Sequence, residues 1–244
     1  MAEQLDTVAQ YGRALGWTLR RRTFLVEGTT DVSLFALAAR LERNATGIDL
    51  LGSDLAIIAA GERDRGGTQG VIRELVSLRC FARTCLAQNG TPIYRFVGFF
   101  DNDKAGQLAV RAARSLDTSI IEFKDVFRLH PVMPTNGNLD PTTLQKTFER
   151  QNNDYKGLYW ELEDLLPDHF FDALVDEHPN AVVRTMRIGG KIHRDLSRDG
   201  KARLHRFIYE YASRDDLTAV IDVLRALRFY MALPPASVAR VGGA

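Results

Sequence analysis

The stretch RTFLVEGTTDVSLF, residues 22–35, decides the fold of this chain. Its apolar and β-branched residues 23–26 predict a short buried strand, and the pattern that begins at Asp31 predicts a helix. Glu27 lies between the two, so a carboxylate stands where the strand ends and the next turn begins. A buried strand that ends in an exposed acid indicates a functional side chain at the edge of a sheet.

Further apolar segments repeat this order of strand and helix. LAIIAAG (55–61) and PIYRFVGFFD (92–101) predict strands, and each precedes a segment with helical periodicity. SIIEF (119–123) and DVFRLH (125–130) predict additional strands. Strands that alternate with helices of about 10–15 residues are typical of βαβ units. We therefore predict an α/β fold with a mainly parallel, Rossmann-like sheet flanked by helices.

The pattern divides the chain into three parts. A helix predicted over residues 3–21, which Gly16 could break, makes up an N-terminal part, residues 1–22. The sheet core covers residues 23–130. A loop-like composition follows this core, and the remaining part, residues 131–240, is predicted to be mostly helical.

Charge segregates within the C-terminal part. Residues 154–177 contain eight acids and one lysine, whereas residues 184–206 contain eight lysines or arginines and two acids. The basic segment suits contacts with phosphate groups, although it could equally pair with the acidic segment before it. The five histidines of the chain show no metal-ligand spacing and are predicted to be structural or at the surface. The candidate phosphate-binding residues are Lys191, Arg194, Arg198 and Arg203.

Composition excludes several classes of protein. The net charge of +1 over 244 residues gives no global field that would attract nucleic acid or a membrane. The two cysteines, Cys80 and Cys85, lack the spacing of a zinc site. No apolar run approaches the roughly 18 residues of a membrane span, and no signal peptide is recognisable at the start. We therefore expect a cytoplasmic protein without a membrane partner.

Four carboxylates are predicted to meet at one edge of the sheet. Glu27 and Asp101 each follow a predicted strand, and Asp31 and Asp103 come shortly after them. Sites in open parallel sheets lie at the carboxyl ends of the strands. Four carboxylates there repel one another unless a cation compensates them, and hard divalent cations prefer such oxygen ligands. The alternative interpretation is an ion pair for Glu27 and a simple turn for the two aspartates.

The segments VEGTTD (26–31) and FFDNDKAG (99–106) resemble the Toprim domain, with its Glu-Gly motif and its Asp-x-Asp motif. The resemblance covers roughly residues 22–130. The acid four positions after Glu27 is similar to the pattern of the overcoming-lysogenization-defect (OLD) nucleases. The resemblance to OLD nucleases also implies a later acidic motif on a helix and a lysine. LYWELEDLLP (158–167) is similar to that motif, through Glu161 or Glu163.

The resemblance leaves two lysines as candidates, Lys201 in DGKARLHRFI (199–208) and, as the alternative, Lys191. OLD nucleases carry an ATPase domain, but this chain contains no GxxxxGK[ST] phosphate-binding loop. The resemblance therefore implies a free-standing Toprim protein that works beside a separate ATPase or sensor, as in anti-phage defence. A homo-oligomer is left open. The topoisomerase and primase branches fit less well, whereas the ribosomal-RNA maturase branch remains an alternative.

These observations lead us to expect a metal-dependent endonuclease that hydrolyses phosphodiester bonds of DNA or RNA. Two Mg²⁺ or Mn²⁺ ions would activate a water and stabilise the leaving oxygen. Glu27 serves as a metal ligand or as a general base, and Lys201 offsets charge on the phosphate. The alternative is a non-catalytic subunit that binds Mg²⁺ and nucleic acid. The expected catalytic residues are Glu27, Asp101 and Lys201, and the expected metal ligands are Glu27, Asp31, Asp101, Asp103, Glu161 and Glu163.

Overall fold

A sheet of four parallel strands forms the centre of the structure, a computed structural model that describes residues 6–60 and 67–238. The strands are β1 (Arg22–Val26), β2 (Leu55–Ala59), β3 (Arg95–Phe100) and β4 (Val126–Arg128). They lie in the order β2-β1-β3-β4, and every neighbouring pair is parallel. The carboxyl ends of β1 and β3 are therefore adjacent, which brings the residues that follow them to the same edge.

Helices precede or follow each strand of this sheet. They are α1 (Thr7–Ala14), α2 (Thr29–Thr46), α3 (Gly67–Ala82) and α4 (Lys104–Leu116). Alternating strand residues pack against two hydrophobic clusters, because consecutive side chains of a strand point to opposite faces. In β1, Phe24 packs in the cluster that contains α2, whereas Leu25 packs in the cluster that contains α3 and α4. The predicted α/β class, with a parallel sheet flanked by helices, is confirmed and is compatible with a Rossmann-like fold.

The C-terminal part shares its core with one face of the sheet. Leu34 of the sheet-flanking helix α2 and Leu224 of the last helix belong to the same buried cluster as Phe24. This part begins after β4 and contains α5 (Pro141–Gln151), α6 (Asp168–Glu177), β5 (Val182–Ile188), β6 (Lys191–Leu196), α7 (Arg198–Tyr211) and α8 (Thr218–Tyr230).

The prediction of a mostly helical C-terminal part missed an antiparallel hairpin, β5 with β6. Ile188 pairs with Lys191, so the loop between the strands has two residues. Both are glycines with positive φ, +59° at Gly189 and +79° at Gly190, as tight hairpin turns require. Apolar and β-branched residues on both sides of Gly-Gly are the signal that could have predicted this hairpin.

Other predicted boundaries were also wrong. Residues 119–123 form no strand, and Glu122 makes only an isolated bridge to Val126. The helix predicted over residues 3–21 does not reach residue 21. It ends at Ala14, at the break that Gly16 allows with its φ of +71°, while residues 3–5 lie outside the described ranges.

Proline interrupts the segment 159–177, which belongs to the part of the chain predicted to be mostly helical. A short 3₁₀ turn, Leu162–Leu165, is followed by Pro167, and α6 begins only at Asp168. Proline at this position cannot continue a preceding helix, because its ring removes a backbone donor and clashes with the previous turn. The acidic motif around Glu163 therefore lies on a tight turn and not on an α-helix.

Among the helices within residues 6–60 and 67–238, none combines the length and the apolar composition that a membrane span requires.

Candidate functional site

Glu27 and Asp31 lie on the turn that connects β1 to α2. The strand ends at Val26, and Gly28 is the residue that caps the amino end of the helix. Asp31 is the third residue after this cap, and its Oδ2 accepts a hydrogen bond of 2.9 Å from the backbone N–H of Gly28. This contact is half of a capping box, which satisfies a free donor at the helix start. Asp31 is thereby fixed beside Glu27.

Asp101 and Asp103 lie on the corresponding turn between β3 and α4. Asp103 caps α4, and its Oδ1 accepts a hydrogen bond of 2.7 Å from the N–H of Gly106. A Cβ atom at Gly106 would lie 2.0 Å from the carbonyl oxygen of Asp101, so only glycine fits in this turn. Since β1 and β3 are adjacent, Asp101 lines one small cavity together with Glu27 and Asp31.

The third acidic segment is fastened directly to this turn. The N–H of Asn102 donates to the carbonyl of Trp160 over 2.8 Å, and the N–H of Leu162 donates to Asp101 Oδ1 over 3.1 Å. Glu161 lies between Trp160 and Leu162 in sequence. The structure therefore places the predicted third motif next to the Asp-x-Asp motif, 61 residues earlier in the chain.

Lys201, near the start of α7, contacts the third motif. Its Nζ lies 2.8 Å from Glu161 Oε2 and 3.2 Å from Glu163 Oε2. The alternative lysine, Lys191, instead lies over the ring of Trp160, with its Nζ 5.7 Å from the centroid. The geometry brings Lys201 and both candidate glutamates together and leaves Lys191 outside this group.

Each aspartate of the site is held through one oxygen, which leaves its second oxygen available. Asp31 uses Oδ2, whereas Asp101 and Asp103 use Oδ1, and in all three the donor is a backbone N–H. Within the described ranges, no hydrogen bond or ion pair reaches the carboxylate of Glu27. Carboxylate oxygens that are fixed in position but lack a protein partner fit the ligand requirements of Mg²⁺ or Mn²⁺.

Burial and mutual repulsion dominate the electrostatics of the acids at this edge. Burial raises the pKa of Glu27 to about 7, and the charges of Asp31 and Asp103 add to the increase. Burial is also the main reason why the pKa of Asp101 lies well above its ordinary value, and repulsion from Glu163 and Asp31 raises this pKa further. Burial likewise raises the pKa of Asp31. A bound cation would favour the charged forms of all these groups.

Glu163, which contacts Lys201, has the opposite balance, whereas burial still raises the pKa of Glu161 despite the same lysine. Burial alone would raise the pKa of Glu163, but its hydrogen bond with His205 and the charge of Lys201 lower that pKa to about 2. The distance from His205 Nε2 to Glu163 Oε1 is 3.1 Å. Burial opposes the charge of Lys201, yet Glu163 and Glu161 raise the pKa of the lysine above its ordinary value. Lys201 therefore stays an ammonium ion at neutral pH.

Reasoning from the sequence missed His193 and Asp195 at this site, and it placed Asp164 in the acidic motif LYWELEDLLP without a role of its own. His193 is buried, with its Nδ1 2.7 Å from Asp164 Oδ2 and its Nε2 2.9 Å from Asp195 Oδ1. Burial opposes protonation of His193, but the hydrogen bond and charge of Asp164 raise its pKa to about 9. Within the described ranges, Glu161, His193 and Asp195 are the group of three metal-ligating side chains whose ligand atoms all lie within 4.8 Å of one another. The i, i+2 spacing in KIHRDL is the signal that could have placed His193 and Asp195 on one face.

The predicted phosphate-binding residues are partly engaged elsewhere. Arg194 pairs with Asp168 over 2.6 Å, and Arg203 pairs with Asp199 over 2.6 Å. Arg198 and Lys191 are both exposed, and Arg198 also has an interaction within the protein. The alternative interpretation, in which the basic segment pairs with the acidic one, describes Arg194 and Lys201 correctly.

This chain matches no protein-family model, no curated protein and no solved structure. Its resemblance to Toprim proteins therefore depends on the two motifs and on what they imply for these residues.

Proposed function

We propose that this protein is a metal-dependent nuclease of the Toprim type, which hydrolyses phosphodiester bonds of DNA or RNA. One observation carries the proposal. Glu27, Asp31, Asp101 and Asp103 follow two adjacent parallel strands, and the three aspartates each retain an oxygen that no donor among the described residues reaches. Such a set of oxygen ligands fits Mg²⁺ or Mn²⁺, two ions of which serve in many enzymes that cleave phosphodiesters.

The residues of the chain have separate tasks in this proposal. Asp31, Asp101 and Asp103 would hold the metal, which supplies Lewis-acid activation of a water and of the scissile phosphate. Glu27, with its pKa of about 7, can accept a proton near neutral pH, as a general base must, or can serve as a further ligand. Lys201 would offset charge that develops on the phosphate, since its charge already acts on this site.

We further propose that a separate ATPase or sensor protein controls the nuclease in phage defence. The chain lacks a phosphate-binding loop of its own, so it has no such motif for ATP hydrolysis. The identity of this partner as an ATPase follows from the resemblance to OLD nucleases alone.

Cleavage by the purified protein tests the nuclease proposal. Plasmid DNA, single-stranded DNA and total transfer RNA should be incubated with Mg²⁺ or Mn²⁺, and at least one should be cleaved. Glu27→Gln and Asp101→Asn should each lower the rate by about 100-fold or more, because both substitutions remove a carboxylate at the reacting centre. Glu149→Gln is the matched control, since that glutamate is exposed on α5.

Two outcomes contradict the proposal. Near-normal cleavage by Glu27→Gln would mean that the reaction takes place elsewhere. If Mg²⁺ raises the thermal stability but no substrate is cleaved, the non-catalytic alternative is favoured, and the assay should be repeated after co-expression with ATPases encoded nearby.

A further inference from the structure

The hairpin strand β6 and the third acidic segment bring together a second set of ligand atoms. His193 and Asp195 are two residues apart on β6, so their side chains extend from the same face of the strand. Glu161 approaches them from the turn that precedes Leu162. The ligand atoms of these three residues lie within 4.8 Å of one another. Ligands about 2.1 Å from one ion are at most about 4.2 Å apart, so small side-chain adjustments suffice to surround a cation.

A buried carboxylate orients the imidazole of this set. Asp164 accepts from His193 Nδ1 over 2.7 Å, and the backbone N–H groups of Glu161 and Arg194 donate to the same carboxylate over 2.8 and 3.1 Å. Three donors hold Asp164 in place, so the ring of His193 is fixed with Nε2 directed at Asp195. Histidines that bind metals commonly donate their second ring N–H to a carboxylate, which selects the tautomer and aims the ligating nitrogen.

The chemistry of the donors selects the type of ion. One imidazole nitrogen with two carboxylates suits a borderline cation such as Zn²⁺ or Fe²⁺, whereas Mg²⁺ prefers an environment of oxygen alone. Mn²⁺ is harder than these ions, but it accepts the same mixed set and serves as a spectroscopic probe. The contacts of Lys201 with Glu161 and Glu163 occupy Oε2 of Glu161 and leave its Oε1 for an ion.

We propose that Glu161, His193 and Asp195 bind one divalent transition-metal ion, represented here by Mn²⁺, which displaces the Nε2 proton of His193, with Asp164 as the residue that positions the ring. This site goes beyond the proposed nuclease centre, because the ion can bind in a chain that has no nuclease activity.

Pulsed electron paramagnetic resonance of bound Mn²⁺ tests the proposal without an activity assay. A directly coordinated imidazole nitrogen modulates the spin echo of Mn²⁺, and we expect this modulation in the wild-type protein. Incorporation of ¹⁵N-histidine should change the modulation pattern in the unmutated chain, so the test does not depend on a variant that folds. Bound Mn²⁺ without nitrogen modulation, or no Mn²⁺ binding, overturns the proposal.

Variants then assign the nitrogen to one residue. His193→Gln should abolish the modulation, and Asp164→Asn should weaken Mn²⁺ binding by about 10–100-fold. His169→Gln is the matched control, since His169 is an exposed histidine on α6 and should leave the signal unchanged. Persistence of the modulation in a folded His193→Gln protein overturns the assignment.

The variant Glu27→Gln separates this inference from the proposed function. It should retain the nitrogen modulation even though it loses cleavage. Loss of the modulation in Glu27→Gln would show that the ion belongs to the carboxylate edge, and this outcome also overturns the proposal.

Discussion

Glu42 and Glu27 lie at opposite ends of α2 and have opposite surroundings. The side chain of Glu42 is 1% exposed, and both of its oxygens are bonded to arginines, Oε2 to Arg214 over 2.9 Å and Oε1 to Arg225 over 2.7 Å. The half-buried Glu27 has no hydrogen bond or ion pair within the described ranges, and its strongest neighbouring charges are acids. One glutamate is therefore saturated by protein partners, and the other is not.

The difference separates a carboxylate that protein partners compensate from one that they do not. Burial of a charge is tolerated when hydrogen-bonded partners compensate it, as the two arginines do for Glu42. The same contacts join α2 to α8 and to the loop before it, so Glu42 contributes to the packing of the C-terminal part on the sheet core. Glu27 carries the cost of burial without compensation, which is typical of positions that bind a cation or transfer a proton.

Removal of the arginines should turn Glu42 into an uncompensated acid. We expect the double substitution Arg214→Met and Arg225→Met to lower the free energy of unfolding by about 3–5 kcal/mol at pH 7, because a buried carboxylate is left without a partner. Urea denaturation followed by circular dichroism measures this change.

A third substitution provides the control for this prediction. Addition of Glu42→Met to the double variant should restore at least half of the lost stability, since the remaining residues are apolar and of similar volume. A double variant that loses less than about 1 kcal/mol would show that the ion pairs matter little and would weaken the contrast with Glu27.

Neutralisation of Glu27 should have the opposite effect on stability. The pKa of Glu27 is about 7 in the folded chain and lies near the ordinary glutamate value of 4.5 in the unfolded chain. A raised pKa contributes stability below pH 4.5 that is lost as the pH rises through 7. The metal-free Glu27→Gln protein should therefore be more stable than the wild type by about 3 kcal/mol at pH 8, and nearly equal to it at pH 4.

The metal reverses this comparison. Mg²⁺ or Mn²⁺ should stabilise the wild type more than Glu27→Gln at pH 8, because a ligand that binds only the folded state adds stability that grows with the logarithm of its affinity. Thermal unfolding with chelator and with added metal measures both effects. Equal stability of the two metal-free proteins from pH 4 to pH 8 would contradict the raised pKa and the interpretation of Glu27 as an uncompensated acid.

The shared position of the acids at the carboxylate edge could be predicted from the sequence, whereas the ion pairs of Glu42 could not. Glu27 and Asp101 directly follow apolar runs, and the parallel order of those runs is enough to place both residues at one edge. The partners of Glu42 are 172 and 183 residues away, and no local pattern indicates such pairing.

The same reason explains why the site was predicted only in part. Asp164 and His193 are 29 residues apart and meet because a Gly-Gly turn reverses the chain between β5 and β6. Without the hairpin, His193 is one of five unremarkable histidines. Local periodicity predicts strands, helices and their ends, but contacts between distant side chains depend on tertiary packing.

The smallest effects are expected for two basic side chains, one without an ion pair and one that has an ion pair. Within the described ranges, the exposed Lys191 forms no ion pair, whereas Arg203 is bonded to Asp199 over 2.6 Å and to His178 over 2.8 Å. If the proposed nuclease binds nucleic acid through the basic segment, Lys191→Ala should reduce the slope of log affinity against log salt by about 1. Arg203→Ala should leave the slope unchanged and alter the free energy of unfolding by less than about 1 kcal/mol. Fluorescence anisotropy with labelled single-stranded DNA between low and moderate salt measures the slopes. An equal decrease in both variants would mean that Arg203 gives up its ion pair with Asp199 to bind phosphate. A surface ion pair would then not prevent its side chains from binding a ligand, unlike the two ion pairs of the buried Glu42.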